Sequence, residues 1–168
     1  MPPRKLNNDF RAVIFDMDGV IVDSEPRHAH AFFEVVREIG YGDTHGVNWD
    51  DYVGRSDHDI WGDFVAKHKP AQSLERLLEM KRARVLEIIQ RDQPVYAGLT
   101  ELVERLARVC RLGLASGSDR PVVEAVLSLR DLRRHFSATV TASEVMRGKP
   151  APEIFLRTAE LLGVAPAD

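Results

Sequence analysis

The 168-residue chain contains a single cysteine, Cys110, so an intrachain disulfide is excluded. We expect this residue to be a small buried hydrophobe, and not a nucleophile. No apolar run reaches the roughly 18 residues that a membrane span requires. The N-terminal Met-Pro-Pro-Arg-Lys-Leu-Asn-Asn also lacks the apolar stretch of a signal peptide. These absences predict a cytoplasmic protein without a membrane partner.

An excess of positive charge is missing as well. The formal net charge is −3, and the Lys and Arg residues form no long stripe, so nucleic-acid binding has no electrostatic support. A hydrophobic fraction of 44% and a charged fraction of 29% are ordinary for a globular protein. A chain of this length suits one compact domain, or a core with a small insert. Nothing in the sequence indicates the oligomeric state.

Two carboxylates follow the first predicted strand. The apolar run Ala12–Phe15 predicts a short buried strand that ends at Asp16 and Asp18, after which Gly19 lets the backbone turn. Ligands of open α/β sheets bind at the carboxyl ends of strands. One carboxylate of such a pair can attack and the other can exchange protons, and the pair favours a nearby cation. The alternative is an Asp/Gly turn without chemistry.

Two later segments can bind an anion. Residues 111–118, Arg-Leu-Gly-Leu-Ala-Ser-Gly-Ser, predict a strand that ends at Ser116, where a hydroxyl and backbone N–H groups precede a helix. Residues 148–153, Gly-Lys-Pro-Ala-Pro-Glu, place Lys149 in a segment that two prolines make rigid. A held ammonium can neutralise a phosphate and the carboxylate that attacks it. Each segment alone is more typical of an ordinary Ser/Gly turn or a solvated loop lysine.

In this order the three segments resemble the haloacid dehalogenase superfamily of phosphotransferases. The similarity covers about residues 10–163 and is greatest to the branch of β-phosphoglucomutases and of sugar-phosphate or phosphoglycolate phosphatases. It implies that Asp16 is the nucleophile that becomes aspartyl-phosphate and that Asp18 is the general acid/base. It also implies that Ser116 binds the transferring phosphoryl group and that Lys149 bridges this group and Asp16. Positioning and charge neutralisation are what phosphoryl transfer mainly requires.

The resemblance further implies Mg²⁺, held by Asp16 and by the main-chain carbonyl of Asp18. Magnesium prefers near-octahedral oxygen coordination, often from one or two carboxylates with phosphate and water. The family's fourth motif, an acidic strand end that supplies another carboxylate, has no counterpart before Asp168. We therefore expect the natural protein to continue beyond Asp168, with the missing strand pairing with the first.

Strands and helices alternate on both sides of a long helical stretch. Three strands are predicted, at Ala12–Phe15, Leu112–Ser116 and Ala138–Thr141. Their alternation with helices predicts an α/β, doubly wound, Rossmann-like core with a parallel sheet. We expect the core to comprise residues 1–24 and 93–168, with an all-helical cap, residues 25–92, inserted after the first strand. In the resembling family such a cap closes over the site, excludes water and selects the substrate.

Five residues are predicted to contact the substrate: Gly117, Ser118, His28, Arg55 and Lys81. Arg55 can reach an anionic or hydroxylated substrate, with a plain surface arginine as the alternative. His28 can donate or accept a hydrogen bond, and Lys81 falls where related caps carry a lysine, although a solvated helix face explains it equally. The position that aligns with a cap arginine of β-phosphoglucomutase is Asp57, which favours a phosphatase over a mutase.

The sequence thus predicts a Mg²⁺-dependent phosphatase that acts on a small phosphorylated metabolite through phospho-Asp16. A sugar phosphate or phosphoglycolate is the expected kind of substrate. Two alternatives stay open: a β-phosphoglucomutase-like phosphomutase, and a catalytically incompetent chain that retains the fold.

Overall fold

A computed structural model describes residues 10–165, which form two compact units. The sheet unit contains the described residues up to Val22 and from Val95 onward, and the helical unit is Asp23–Pro94. Three strands form the sheet: β1 (Ala12–Phe15), β2 (Arg111–Ser116) and β3 (Ala138–Thr141). They are parallel and lie in the order β1-β2-β3, so their carboxyl ends meet at one edge.

The described residues contain six α-helices: α1 (Glu25–Glu38), α2 (Asp57–His68), α3 (Leu74–Asp92), α4 (Leu99–Ala107), α5 (Arg120–Ser128) and α6 (Glu153–Leu162). Short 3₁₀ helices span Gly42–His45, Trp49–Tyr52, Leu129–His135 and Ala142–Glu144. The parallel sheet flanked by helices confirms the predicted fold class. The first and third strands have the predicted bounds, whereas β2 begins one residue before the predicted Leu112.

Helix α6 packs against all three strands, and α4 packs against β2. The contact between α6 and β2 is close at Gly113, where an added Cβ would lie 2.6 Å from Thr158 Cγ2 and 2.9 Å from Leu162 Cδ1.

The central strand β2 is buried after its first residue. By contrast β1, which was expected to be buried, is half-buried until Phe15, because among the described strands it pairs on one side only.

The helical unit has its own core. Every element assigned within Asp23–Pro94 is a helix, and α1, α2 and α3 contribute to one cluster of buried apolar residues: Phe32, Val35, Val36, Ile60, Trp61, Phe64 and Leu77. Ser56 begins α2 with a capping box, since its hydroxyl accepts the Asp59 N–H while the Asp59 carboxylate accepts the Ser56 N–H. Such caps satisfy backbone donors that the first helical turn leaves unpaired. The sequence therefore fixes where this helix begins.

Cys110 is half-buried between α4 and β2, so the expectation of a buried side chain is only partly met. Its Sγ lies 3.4 Å from the Leu106 carbonyl oxygen. Burial raises the pKa of the thiol, which lowers its thiolate content and its reactivity. Among the described residues no helix has the length and apolar character that crossing a membrane requires.

Candidate active site

A tight turn follows β1 and presents the two carboxylates. The carbonyl of Met17 accepts the N–H of Ile21 at 2.8 Å, and both of these side chains are fully buried. Gly19 has a φ of +73°, a conformation that side chains with a Cβ rarely adopt. Phe15 and Met17 are buried at alternate positions of the chain. The residues that follow them, Asp16 and Asp18, are half-buried at the strand end, where solutes can reach them.

Lys149 forms an ion pair with the first carboxylate. Its Nζ lies 2.6 Å from Asp16 Oδ2 and 3.1 Å from the main-chain oxygen of Ala115, the penultimate residue of β2. The ammonium also lies 5.1 Å from the centre of the Phe155 ring. The other oxygen of Asp16, Oδ1, accepts the Met17 N–H at 2.7 Å. Both carboxylate oxygens are thus hydrogen-bonded, which fixes the orientation of the group.

Two serines at the end of β2 contact the second carboxylate. Ser118 Oγ donates to Asp18 Oδ2 at 2.8 Å, and the buried Ser116 Oγ lies 3.4 Å from the same oxygen. Ser116 Oγ also accepts the Ser118 N–H at 3.0 Å, which ties the loop to the strand end. An added Cβ at Gly117 would meet no atom within 4 Å, so there is open space beside this loop. The structure therefore brings Ser116 and Ser118 to Asp18, and Lys149 to Asp16.

The segment that carries Lys149 is held by a residue that sequence reasoning missed. The Glu153 carboxylate accepts the N–H groups of Met146 at 2.7 Å and Arg147 at 3.0 Å. The hydrogen bond from Met146, with smaller contributions from Arg147, keeps the pKa of Glu153 below its ordinary value. The sequence contained a signal for this role: an acidic residue stands at the start of the helix that follows Gly-Lys-Pro-Ala-Pro.

The end of β3 is fixed in a similar way. The Glu144 carboxylate accepts the main-chain N–H of Thr141 at 2.9 Å and its hydroxyl at 2.8 Å, and it pairs with Arg120 at the start of α5. Burial raises the pKa of Glu144, but the bonds from Thr141 and the charge of Arg120 outweigh this effect and leave the pKa low. Glu144 thus joins the loop after β3 to the helix that follows Ser118.

Within the helical unit, two of the three predicted substrate-binding residues lie together. Lys81 is fully buried, contrary to the alternative of a solvated helix face. Its Nζ donates to His28 Nδ1 at 2.9 Å and to the Asp57 carboxylate. Arg55 pairs with Asp63 at 3.3 Å instead, and its guanidinium lies 4.8 Å from the centre of the Tyr52 ring. Asp57 was predicted only to occupy the position of a cap arginine, and its pairing with Lys81 is a finding of the structure.

The oxygen donors at the end of β1 suit a hard cation such as Mg²⁺. Asp16 and Asp18 are half-buried, and their orientations are fixed by the hydrogen bonds described above. Among residues 10–165 no cluster of three or more His, Cys, Asp or Glu side chains could hold a metal ion. Asp16 and Asp18 offer the carboxylate oxygens that Mg²⁺ takes from proteins, usually one or two together with water.

Comparison with known proteins places this geometry in a family. The sequence profile of the haloacid dehalogenase-like hydrolases matches residues 10–168, and the chain belongs to this hydrolase family. Hexitol phosphatase B of Escherichia coli is 32% identical over 168 residues, covering 92% of this chain and 71% of that protein. β-Phosphoglucomutase of Bacillus subtilis is 31% identical over 168 residues, covering 94% of this chain and 72% of that protein.

A solved structure of CbbY from Rhodobacter sphaeroides has the same fold, with a TM-score of 0.77 and 22% identity. The match covers 93% of this chain and 74% of that chain. These comparisons confirm the predicted family, the predicted fold class and the prediction of a hydrolase. The roles of the individual site residues stay predictions.

Proposed function

We propose that the protein is a phosphatase that hydrolyses the phosphate monoester of a small sugar-type metabolite. One observation carries the proposal: the Lys149 ammonium lies 2.6 Å from Asp16 Oδ2, while Asp18, two residues further on, accepts a hydrogen bond from Ser118. This arrangement provides one carboxylate next to a phosphate-binding cation and a second one for proton exchange. Similarity to hexitol phosphatase B supports a sugar or polyol phosphate as substrate.

In the first step a carboxylate oxygen of Asp16 attacks phosphorus and the bond from phosphorus to the ester oxygen breaks. The leaving alkoxide takes a proton from Asp18, and the phosphoryl group is now covalently bound to Asp16. Lys149 neutralises charge on the attacking carboxylate and on the transferring group. Ser116 would contribute its hydroxyl to the phosphoryl oxygens, and the loop of Gly117 and Ser118 would contribute main-chain N–H groups.

In the second step a water molecule attacks the phosphorus of phospho-Asp16 and gives a proton to Asp18. The bond between phosphorus and the Asp16 oxygen breaks, which releases inorganic phosphate and restores both carboxyl groups. The hydrogen bonds from Ser118 and Ser116 to Asp18 keep its carboxylate in place for both proton transfers.

We further propose that Mg²⁺ is the cofactor, held by Asp16 and the main-chain carbonyl of Asp18. When bound, the ion would neutralise negative charge on the phosphoryl group. We assign the helical unit the role of a cap that selects the substrate and excludes water, in keeping with the family. A cytoplasmic location stays a prediction from the sequence.

A phosphomutase is the second candidate, favoured by the 31% identity to β-phosphoglucomutase. In a mutase, phospho-Asp16 would transfer its phosphoryl group to a hydroxyl of a sugar phosphate instead of to water. Asp57, at the position aligned with the cap arginine, favours the phosphatase.

The test is release of inorganic phosphate from p-nitrophenyl phosphate with and without Mg²⁺, together with acid-quench trapping of the phosphoenzyme. We expect magnesium-dependent turnover and a phosphorylated Asp16, and Asp16→Asn should abolish both. Glu160→Gln is the matched control, since Glu160 forms a surface ion pair with Arg157 at 2.6 Å. Phosphate release that persists in Asp16→Asn would refute the mechanism. Absence of release from the wild type would favour an incompetent chain.

A further inference from the structure

Both cations that the sequence predicts for the cap already have carboxylate partners within the helical unit. Lys81 on α3 donates to Asp57 at the start of α2 and to His28 on α1. Arg55 lies 3.3 Å from Asp63. Neither predicted substrate-binding cation therefore brings a net positive charge to a ligand.

Lys81, Asp57 and His28 form a cluster, here called the Lys81 cluster, whose positive charge is buried and whose negative charge is exposed. The Lys81 side chain is 0% exposed, whereas the Asp57 side chain is 43% exposed. A fully buried ammonium needs a counter-charge, because burial without a partner costs several kcal/mol. Asp57 provides this counter-charge, and it is the carboxylate of the pair, not the ammonium, that meets solvent. An ammonium can only donate, so the ring nitrogen Nδ1 of His28 is the acceptor in this contact.

A cluster with an exposed carboxylate and a buried ammonium distinguishes ligands by charge. Its accessible oxygens accept hydrogen bonds from hydroxyl groups, as a sugar or polyol offers. A second phosphate, which carries about −1.5 to −2 charges at neutral pH, meets the carboxylate first and is repelled. The cluster thus favours a ligand whose remainder, beyond its single phosphate, is neutral and hydroxylated.

We propose that Asp57 is a specificity-determining residue that selects singly phosphorylated, hydroxylated substrates against doubly phosphorylated ones. This inference rests on the proposed function, since it assigns the helical unit a role in choosing the substrate. It also favours the phosphatase over the phosphomutase, the two candidate reactions. Transfer from phospho-Asp16 to a sugar phosphate creates a doubly phosphorylated intermediate that a mutase must retain, and Asp57 disfavours its retention.

The experiment compares fructose 1-phosphate with fructose 1,6-bisphosphate, which differ by one phosphate. Dissociation constants are measured by calorimetry, and kcat/KM by phosphate release, for the wild type, Asp57→Asn and a control. Glu79→Gln is the control because it removes one negative charge from an exposed ion pair on the same unit. Asp57→Asn should bind the bisphosphate more tightly, with a lower Kd and a lower KM for this sugar. The preference for the monophosphate should therefore fall about five- to tenfold. Glu79→Gln should leave the preference within about twofold.

In Asp57→Asn the buried ammonium of Lys81 has lost its counter-charge, and this loss can unfold the variant. A second variant is therefore included. Asp57→Asn combined with Lys81→Met removes both charges and keeps the side-chain volumes similar. If Asp57→Asn fails to fold, this double variant should still weaken the preference about threefold, because the exposed carboxylate is gone. An unchanged preference in a folded variant, by binding and by turnover, would overturn the proposal. A wild type that binds both sugars but releases no phosphate would refute the proposed function alone, since the binding ratio still tests Asp57.

Discussion

Lys149 Nζ lies 2.6 Å from Oδ2 of Asp16, and this contact joins the loop before α6 to the end of β1. The lysine also donates to the Ala115 carbonyl at 3.1 Å, so one ammonium contacts the ends of two adjacent strands. Because the lysine side chain is 28% exposed, this ion pair contributes little to stability. Its importance is expected in turnover, where charge develops on the transferring group.

Replacement of Lys149 by Met keeps the length of the side chain and removes its charge. We expect kcat to fall about 10²–10³-fold, because the variant loses a preorganised cation next to the attacking carboxylate. The thermal unfolding temperature should change little. Steady-state kinetics on p-nitrophenyl phosphate provide the measurement. A variant that keeps half of the wild-type kcat would show that Lys149 is a loop lysine without a catalytic role.

Ser118 should act through Asp18. Asp18→Asn removes the proton donor and should lower kcat about 10²–10⁴-fold. Ser118→Ala removes only the 2.8 Å hydrogen bond that orients this carboxylate, so kcat should fall about 10–100-fold with a smaller change in KM. Ser118→Thr retains the hydroxyl and should restore most of the rate. If Ser118→Ala instead raises KM and leaves kcat unchanged, Ser118 binds substrate and does not position Asp18.

Gly113 should tolerate no side chain. An alanine Cβ at this position would lie 2.6 Å from Thr158 Cγ2 and 2.9 Å from Leu162 Cδ1. Gly113→Ala must therefore shift the Thr158 and Leu162 side chains or move α6 away from β2, and we expect a loss of about 1–3 kcal/mol in the free energy of unfolding. Gly117→Ala is the control for stability, because nothing lies within 4 Å of a Cβ there. Urea unfolding compares the two, and equal midpoints would contradict the close contact.

The low pKa of Glu153 predicts a pH-dependent contribution to stability. A carboxyl whose folded pKa is below its unfolded value of about 4.3 stabilises the protein above that pH. This stabilisation is lost as the pH falls through the folded pKa, where protonated Glu153 comes to resemble glutamine. Glu153→Gln should therefore be less stable than the wild type at pH 7, and the difference should disappear on acidification.

Urea midpoints at pH 7 and at about pH 3 measure this difference, with Glu160→Gln as the control on the same helix. A Glu153→Gln variant equal to the wild type at pH 7 would show that the bonds to Met146 and Arg147 do not stabilise the loop. Because that loop carries Lys149, kcat should fall together with stability in this variant.

Local patterns in the sequence determined much of the sheet unit. The apolar run Ala12–Phe15 and the following Asp-Met-Asp-Gly predicted both the strand and the position of the paired carboxylates. The start of α2 is set just as locally, because the cap at Ser56 involves residues only two or three positions apart. The order of the three motifs carried the resemblance to the family, and the match of the family profile to residues 10–168 confirms it.

Only the tertiary structure decided which partners the charged side chains of the helical unit take. Nothing local indicates that Lys81 is buried, or that its ammonium pairs with Asp57 and contacts His28 on another helix. The family resemblance did imply that Lys149 lies next to Asp16, but the distance of this ion pair depends on the β1–β2 register and on the packing of α6. Such contacts join residues far apart in sequence, and their geometry is set by how whole helices and strands pack. Side-chain chemistry follows from the sequence, but the charge that each group presents to a ligand follows from the fold.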